Sequence, residues 1–163
     1  MQWTDEANAG FSTAKRLVLP VISHGPYGYA RVNVEAQRHD PNSLLNWTAR
    51  MIRTRKECPE IGWGEWQLLP TGASCVLAMC YSWRGNRVVV MHNFSHEPQE
   101  VRLRITGPDG DVLANLLGHE PSHAGDDGVH HVALESHCYR WYRVGSPNYA
   151  IDKSRRGRGA YRD

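Results

Sequence analysis

Val76-Leu77-Ala78-Met79-Cys80-Tyr81-Ser82-Trp83, then Arg84-Gly85-Asn86, then Arg87-Val88-Val89-Val90-Met91-His92-Asn93-Phe94: this stretch decides the fold. Two runs rich in β-branched and aromatic residues flank a tight connection, the pattern of a hairpin. Val88-Val89-Val90-Met91 is too continuously apolar for a half-exposed edge, so this strand is expected at the centre of a sheet.

Working outward, Glu100–Ile105 alternates. Val101, Leu103 and Ile105 face one way, and Glu100, Arg102 and Arg104 face the other. Pro108-Asp109-Gly110 is a turn, and Val112–Leu117, Val129–Leu134 and His137–Val144 read as further strands. Upstream, Glu65–Leu69 is a strand closed by Pro70-Thr71-Gly72. Seven short strands separated by turns predict an antiparallel β-sandwich over residues 62–145.

The part before it has another character. Asp40 is expected to cap a helix over 41–57, with Pro41 at the first helical position. Leu44, Leu45, Thr48, Met51, Ile52 and Arg55 share one face of it. Arg50, Arg53, Arg55 and Lys56 suit its C-terminal end, and Cys58-Pro59 stops it. Residues 12–39, with Pro20, Gly25-Pro26 and Gly28, read as loop with at most a short turn. The fold class is therefore mainly β, an antiparallel sandwich preceded by a loop-rich segment and one α-helix. After it, residues 146–163 hold Lys153-Ser154-Arg155-Arg156-Gly157-Arg158-Gly159 and read as a basic disordered tail.

Composition limits the function classes. Forty percent hydrophobic and 22% charged residues are globular values. A net charge of +2 implies no polyanionic partner for the whole molecule. Cys58, Cys75, Cys80 and Cys138 form no CxxC pair and no zinc spacing, so reduced thiols in a cytoplasmic protein are expected. No run approaches the ~20 apolar residues of a membrane helix, and no membrane partner is expected. No phosphate-binding, dinucleotide-binding or nucleophile-elbow motif is present, so no cofactor is expected.

Several strings carry a resemblance. Met1-Gln2-Trp3-Thr4-Asp5-Glu6 runs into Asn8-Ala9-Gly10-Phe11-Ser12. Gly25-Pro26-Tyr27-Gly28-Tyr29 leads to Val32-Asn33-Val34-Glu35-Ala36-Gln37. Asp40–Trp47, Met51–Glu57, Pro59–Gly64, Tyr81–Asn86, His92–Ser95 and Tyr139–Gly145 continue the series. Over about residues 1–145 the chain resembles the C-terminal portion of trehalose synthases (maltose α-D-glucosyltransferases), in the α-amylase superfamily. The resemblance implies that residues 1–61 are the end of a (β/α)8 catalytic barrel and 62–145 a C-terminal β-domain. It implies a retaining, double-displacement glucosyl transfer between maltose and trehalose, with an Asp nucleophile, a Glu acid/base and a second Asp that stabilises the transition state, all upstream of the Met1-Gln2-Trp3 segment. Met1 then reads as an internal methionine of a longer protein. No catalytic residue maps onto this chain, which is expected to be non-catalytic.

Gln2, Trp3 and Phe11 are the candidates for the substrate rim. Trp3 would stack on a sugar face and Gln2 would bond hydroxyls, the alternative being that the two aromatics only anchor a loop. The adjacent pairs Asp5-Glu6 and Asp126-Asp127 read as solvated loop charges, because adjacent side chains point apart. His119, His123, Asp126, Asp127, His130 and His131 match no metal motif, and with Gly118, Gly125 and Gly128 they read as a solvated hairpin loop. His92 and His137 read as strand residues. No nucleic-acid partner is expected, despite the basic tail. An exposed face of the 41–57 helix would favour self-association. Other readings are a β-sandwich that binds carbohydrate or protein through Trp83 or Tyr142, and a subunit that complements a separately encoded barrel.

Overall fold

The computed structural model describes residues 2–145. The expected basic tail lies outside the described residues. The chain divides into two compact units, Met1–Thr54 and Arg55–Asp163.

In the first unit, residues expected to be loop form helix α1, Val34–His39. Its N-terminal amides explain why it forms. Asn33 Oδ1 accepts from Ala36 N at 2.8 Å, an N-cap. Val34 N and Glu35 N donate to the carbonyls of Gln2 and Trp3 at 2.9 and 3.0 Å. The orphan donors of this short helix are thus satisfied by a distant segment, a contact that no local pattern announces.

Helix α2 spans Leu44–Lys56. It starts at Leu44, not at Pro41, because Asp40 caps nothing in it. Asp40 Oδ1 takes Asn42 N at 2.9 Å in a turn. Ser43 is the cap: its Oγ accepts from Asn46 N at 3.2 Å and donates to Gln37 O at 2.6 Å. Cys58-Pro59 does follow the end of α2. Leu44 is 69% exposed and Ile52 52%, so the apolar stripe read from spacing remains largely in water.

The second unit is the expected antiparallel sandwich. After the single-turn helix α3, Glu60–Trp63, come β1 (Glu65–Leu68), β2 (Val76–Trp83), β3 (Asn86–Asn93), β4 (Gln99–Leu103), β5 (Val112–Asn115), β6 (Ser122–His123), β7 (His130–Leu134) and β8 (Tyr139–Val144). One sheet has the order β1-β2-β3-β8-β5-β6, and β4 pairs with β7 in the other. The two-residue β6 is the strand that sequence reading missed. Arg84 and Gly85 both have positive φ, 48° and 77°, and close the β2–β3 hairpin between the paired Trp83 and Asn86. Two left-handed residues give the turn whose twist matches the strands it joins.

The core lies between the sheets. Val76, Ala78, Cys80, Val89, Met91, Tyr142 and Val144 from the large sheet meet Val101, Leu103, Val132 and Leu134 from the small one. A second cluster lies on the large sheet's opposite face, where Val88 and Val90 pack with Cys58, Ile61 and Trp141. Strand β3 is therefore buried on both faces, which is why its sequence is apolar without alternation. Strand β7, with one face inward, alternates between buried and exposed along its whole length.

Candidate functional site

The segment carrying Gln2, Trp3 and Phe11 is folded back on itself by three consecutive residues in the left-handed region. Asn8, Ala9 and Gly10 have φ of 57°, 54° and 72°. That region costs an L-residue with a β-carbon roughly 1–2 kcal/mol, and asparagine and glycine enter it most easily. The composition fits. Asn8 anchors the turn, its Nδ2 donating to Ser12 O at 3.0 Å and Ala14 O at 2.7 Å. Ala9 is fully buried, and its carbonyl accepts from Trp3 N at 3.0 Å and Thr4 N at 3.3 Å. A β-carbon at position 10 would stand 2.8 Å from Thr4 Oγ1, so the turn has room only for glycine there.

The structure places the three candidates unequally. Gln2 is half-buried, and its Nε2 donates to Tyr27 O at 2.8 Å. Trp3 and Phe11 keep 50% and 51% of their surface exposed. The Gln2–Trp3 backbone caps α1 while the Trp3 ring stays accessible. Held in this way, the segment carries two half-exposed aromatic rings on a strained, tightly bonded frame. Strain of this kind collects at functional sites.

Other sequence candidates fall elsewhere. Asp5, Glu6, Asp126 and Asp127 are exposed, and Asp127 Oδ1 accepts from Val129 N in a turn. The histidine-rich stretch is not a uniformly solvated loop. His130 is fully buried, with Nε2 2.7 Å from Gly110 O and Nδ1 3.0 Å from Ser122 Oγ. His131 Nδ1 lies 2.9 Å from Glu100 Oε1, and this contact holds the Glu100 carboxyl below its ordinary range. His137 is not in a strand: it occupies a turn with φ 51°, and β8 begins at Tyr139. Tyr142 is a core residue at 5% exposure and not a surface aromatic, and the Arg84 guanidinium lies 4.4 Å over the Trp83 ring.

One buried ion pair escaped sequence reading. Glu60, 1% exposed, receives a hydrogen bond from Arg143 Nη1 at 2.6 Å. Arg143 Nη2 also donates to Glu57 O at 3.3 Å. The available signal was a charged residue on the otherwise aromatic outer face of Tyr139–Val144, but nothing in the pattern names its partner.

The α-amylase catalytic domain matches residues 1–64, and the C-terminal domain of sucrose hydrolase-like proteins matches residues 85–143. The trehalose synthase of Pimelobacter sp. (strain R48) is 35% identical over 154 residues, 91% of this chain and 27% of that protein. That of Thermus thermophilus is 39% identical over 124 residues, 74% of this chain and 13% of that protein. The chain belongs to the trehalose synthase family. It corresponds to the C-terminal portion of trehalose synthases and spans 27% or less of the length of these two relatives. Among solved structures, the trehalulose synthase MutB of Pseudomonas mesoacidophila MX-45 aligns at a TM-score of 0.61 and 29% identity. That alignment covers 88% of this chain and 24% of MutB. Glu60 lies within the first matched region and Arg143 at the end of the second, so their hydrogen bond joins the two.

Proposed function

We propose that this chain supplies the C-terminal part of an enzyme that interconverts maltose and trehalose by intramolecular glucosyl transfer. Residues 1–61 then end the catalytic barrel, and 62–145 form a structural β-domain. The reading is carried by the strained Asn8–Gly10 turn within the region similar to a catalytic domain, which keeps Trp3 and Phe11 half-exposed. In this role Trp3 and Phe11 line the substrate rim, and the Gln2 amide bonds a sugar hydroxyl. A retaining transfer also needs two carboxylates facing each other about 5–5.5 Å apart. The adjacent, exposed pairs Asp5-Glu6 and Asp126-Asp127 do not suit that task, and the chain is non-catalytic by itself. Free thiols at all four cysteines suit the reducing cytoplasm. Among the described residues no helix is long and apolar enough to cross a membrane.

The test incubates maltose with this chain alone, with a separately produced barrel portion of a relative, and with both. Trehalose formed only by the mixture supports the reading, including complementation by a separately encoded barrel. Trehalose made by the chain alone would contradict its non-catalytic role. No trehalose from a contiguous barrel–chain fusion would count against the activity itself.

A second reading, a saccharide-binding sandwich, is favoured by a cavity of ≈ 770 Å³ lined by Asn115, His119, Glu120, His123, Arg140 and Tyr142, among others. Titration with maltose followed by amide chemical shifts distinguishes it. If those residues do not move, this reading fails.

A further inference from the structure

The loops β3–β4 and β7–β8 are tied together by one buried side chain. Asn93, 2% exposed, donates from Nδ2 to the carbonyls of Glu97, Glu135 and Leu134 at 2.7, 3.0 and 3.3 Å. Its Oδ1 accepts from Ser95 N and Oγ at 3.0 and 2.8 Å. His137 N then donates to Ser95 O at 3.1 Å. This frame brings two exposed imidazoles together. His137 Nε2 lies 2.9 Å from His96 Nδ1, with the rings at 88° and their centroids 4.5 Å apart.

The 2.9 Å separation is that of an ordinary hydrogen bond. An ordinary one contributes roughly 0.5–1.5 kcal/mol, and water competes at an exposed site. Holding His137 at φ 51° costs a comparable ~1–2 kcal/mol. The same spacing also fits a shared metal ion. Two imidazole nitrogens bound about 2.0–2.1 Å from one ion, at about 90° to each other, stand about 2.9 Å apart. A tetrahedral ion would need them about 3.4 Å apart.

We propose that His96 and His137 chelate a divalent transition-metal ion of square-planar or tetragonal preference, Cu²⁺ or Ni²⁺. Binding replaces the hydrogen bond: the proton on the donating nitrogen leaves it for the other nitrogen of the same ring, and both facing nitrogens then offer lone pairs. Among the described residues no group of three or more His, Cys, Asp or Glu side chains is placed to hold a metal, so water completes the coordination. Imidazole selects these ions over calcium or magnesium, which take oxygen ligands. The site is independent of any sugar chemistry.

The test titrates Cu²⁺ into this chain, with calorimetry for affinity and electron paramagnetic resonance for nitrogen ligands. The variants are His96→Gln and His137→Asn, the latter because asparagine accepts the left-handed backbone. The expected result is one tightest site with two imidazole nitrogens, weakened at least about tenfold in either variant as the chelate is lost. His119→Gln/His123→Gln retains it. Unchanged affinity in His96→Gln, whose backbone needs no special residue, overturns the proposal, as does a spectrum with a single imidazole.

Discussion

Arg143 sets its Nη1 2.6 Å from Oε1 of Glu60, with only 14% and 1% of the two side chains exposed. The pair fastens α3 to β8 on the outer face of the large sheet. Its removal is asymmetric. Arg143→Ala leaves a buried carboxylate without its partner, and breaking such a pair costs about 3–5 kcal/mol. Glu60→Gln keeps the shape and an acceptor oxygen, so it should cost less. Urea denaturation of both variants measures the difference, and equal small losses would show that the pair does not hold the joint.

The left-handed turn predicts a local effect. Gly10→Ala adds a β-carbon 2.8 Å from Thr4 Oγ1 at φ 72°, at a cost of roughly 1–2 kcal/mol. The Trp3 and Thr4 amides, which donate to Ala9 O, should then exchange with solvent roughly 5–30 times faster. Unchanged protection at those two amides contradicts the account of the turn.

Acid should act in two stages. Burial lowers the affinity of His92 for a proton below its ordinary value of 6.5. The unfolded chain therefore protonates this residue first, and stability declines as pH falls from about 6.5 toward the lower folded value. Glu100 is depressed below 4.5, first by its hydrogen bond with His131. Its contribution is present above that value and is lost as pH falls through the folded one. Melting temperature against pH for wild type, His92→Gln and Glu100→Gln separates the two. The upper decline should shrink only in the first variant and the lower only in the second.

The four thiols should divide into pairs. Cys58 and Cys80 are 0% and 3% exposed, and burial pushes both thiols above their ordinary range. Cys75 and Cys138 are half-buried. Ellman's reagent should label two thiols quickly and the other two only on unfolding, with mass spectrometry placing the fast pair at Cys75 and Cys138.

The strands were legible because each reports its own surroundings. Val101 and Leu103 alternate with charged residues because one face is wet, and Val88–Met91 does not alternate because neither face is. Features made by distant partners were not legible. Helix α1 depends on carbonyls of Gln2 and Trp3, the start of α2 on Ser43 rather than the better-looking Asp40, and Glu60 on an arginine of the last strand. At the candidate site, Asn8-Ala9-Gly10 gave a motif but not its geometry. The spacing of three small residues does not say that all three turn left-handed.

The bonds from Val34 and Glu35 to Gln2 and Trp3 close everything between them into a loop tied at its neck. The entropy of such a loop grows only with the logarithm of its length, so doubling it costs only about 0.6 kcal/mol. Val18 and Leu19, 100% and 78% exposed, lie in its outer reach. Residues inserted there would leave the neck, the turn and the helix start in register. Length is thus the property this region can most cheaply vary among related chains, while the few residues at its neck must stay in step.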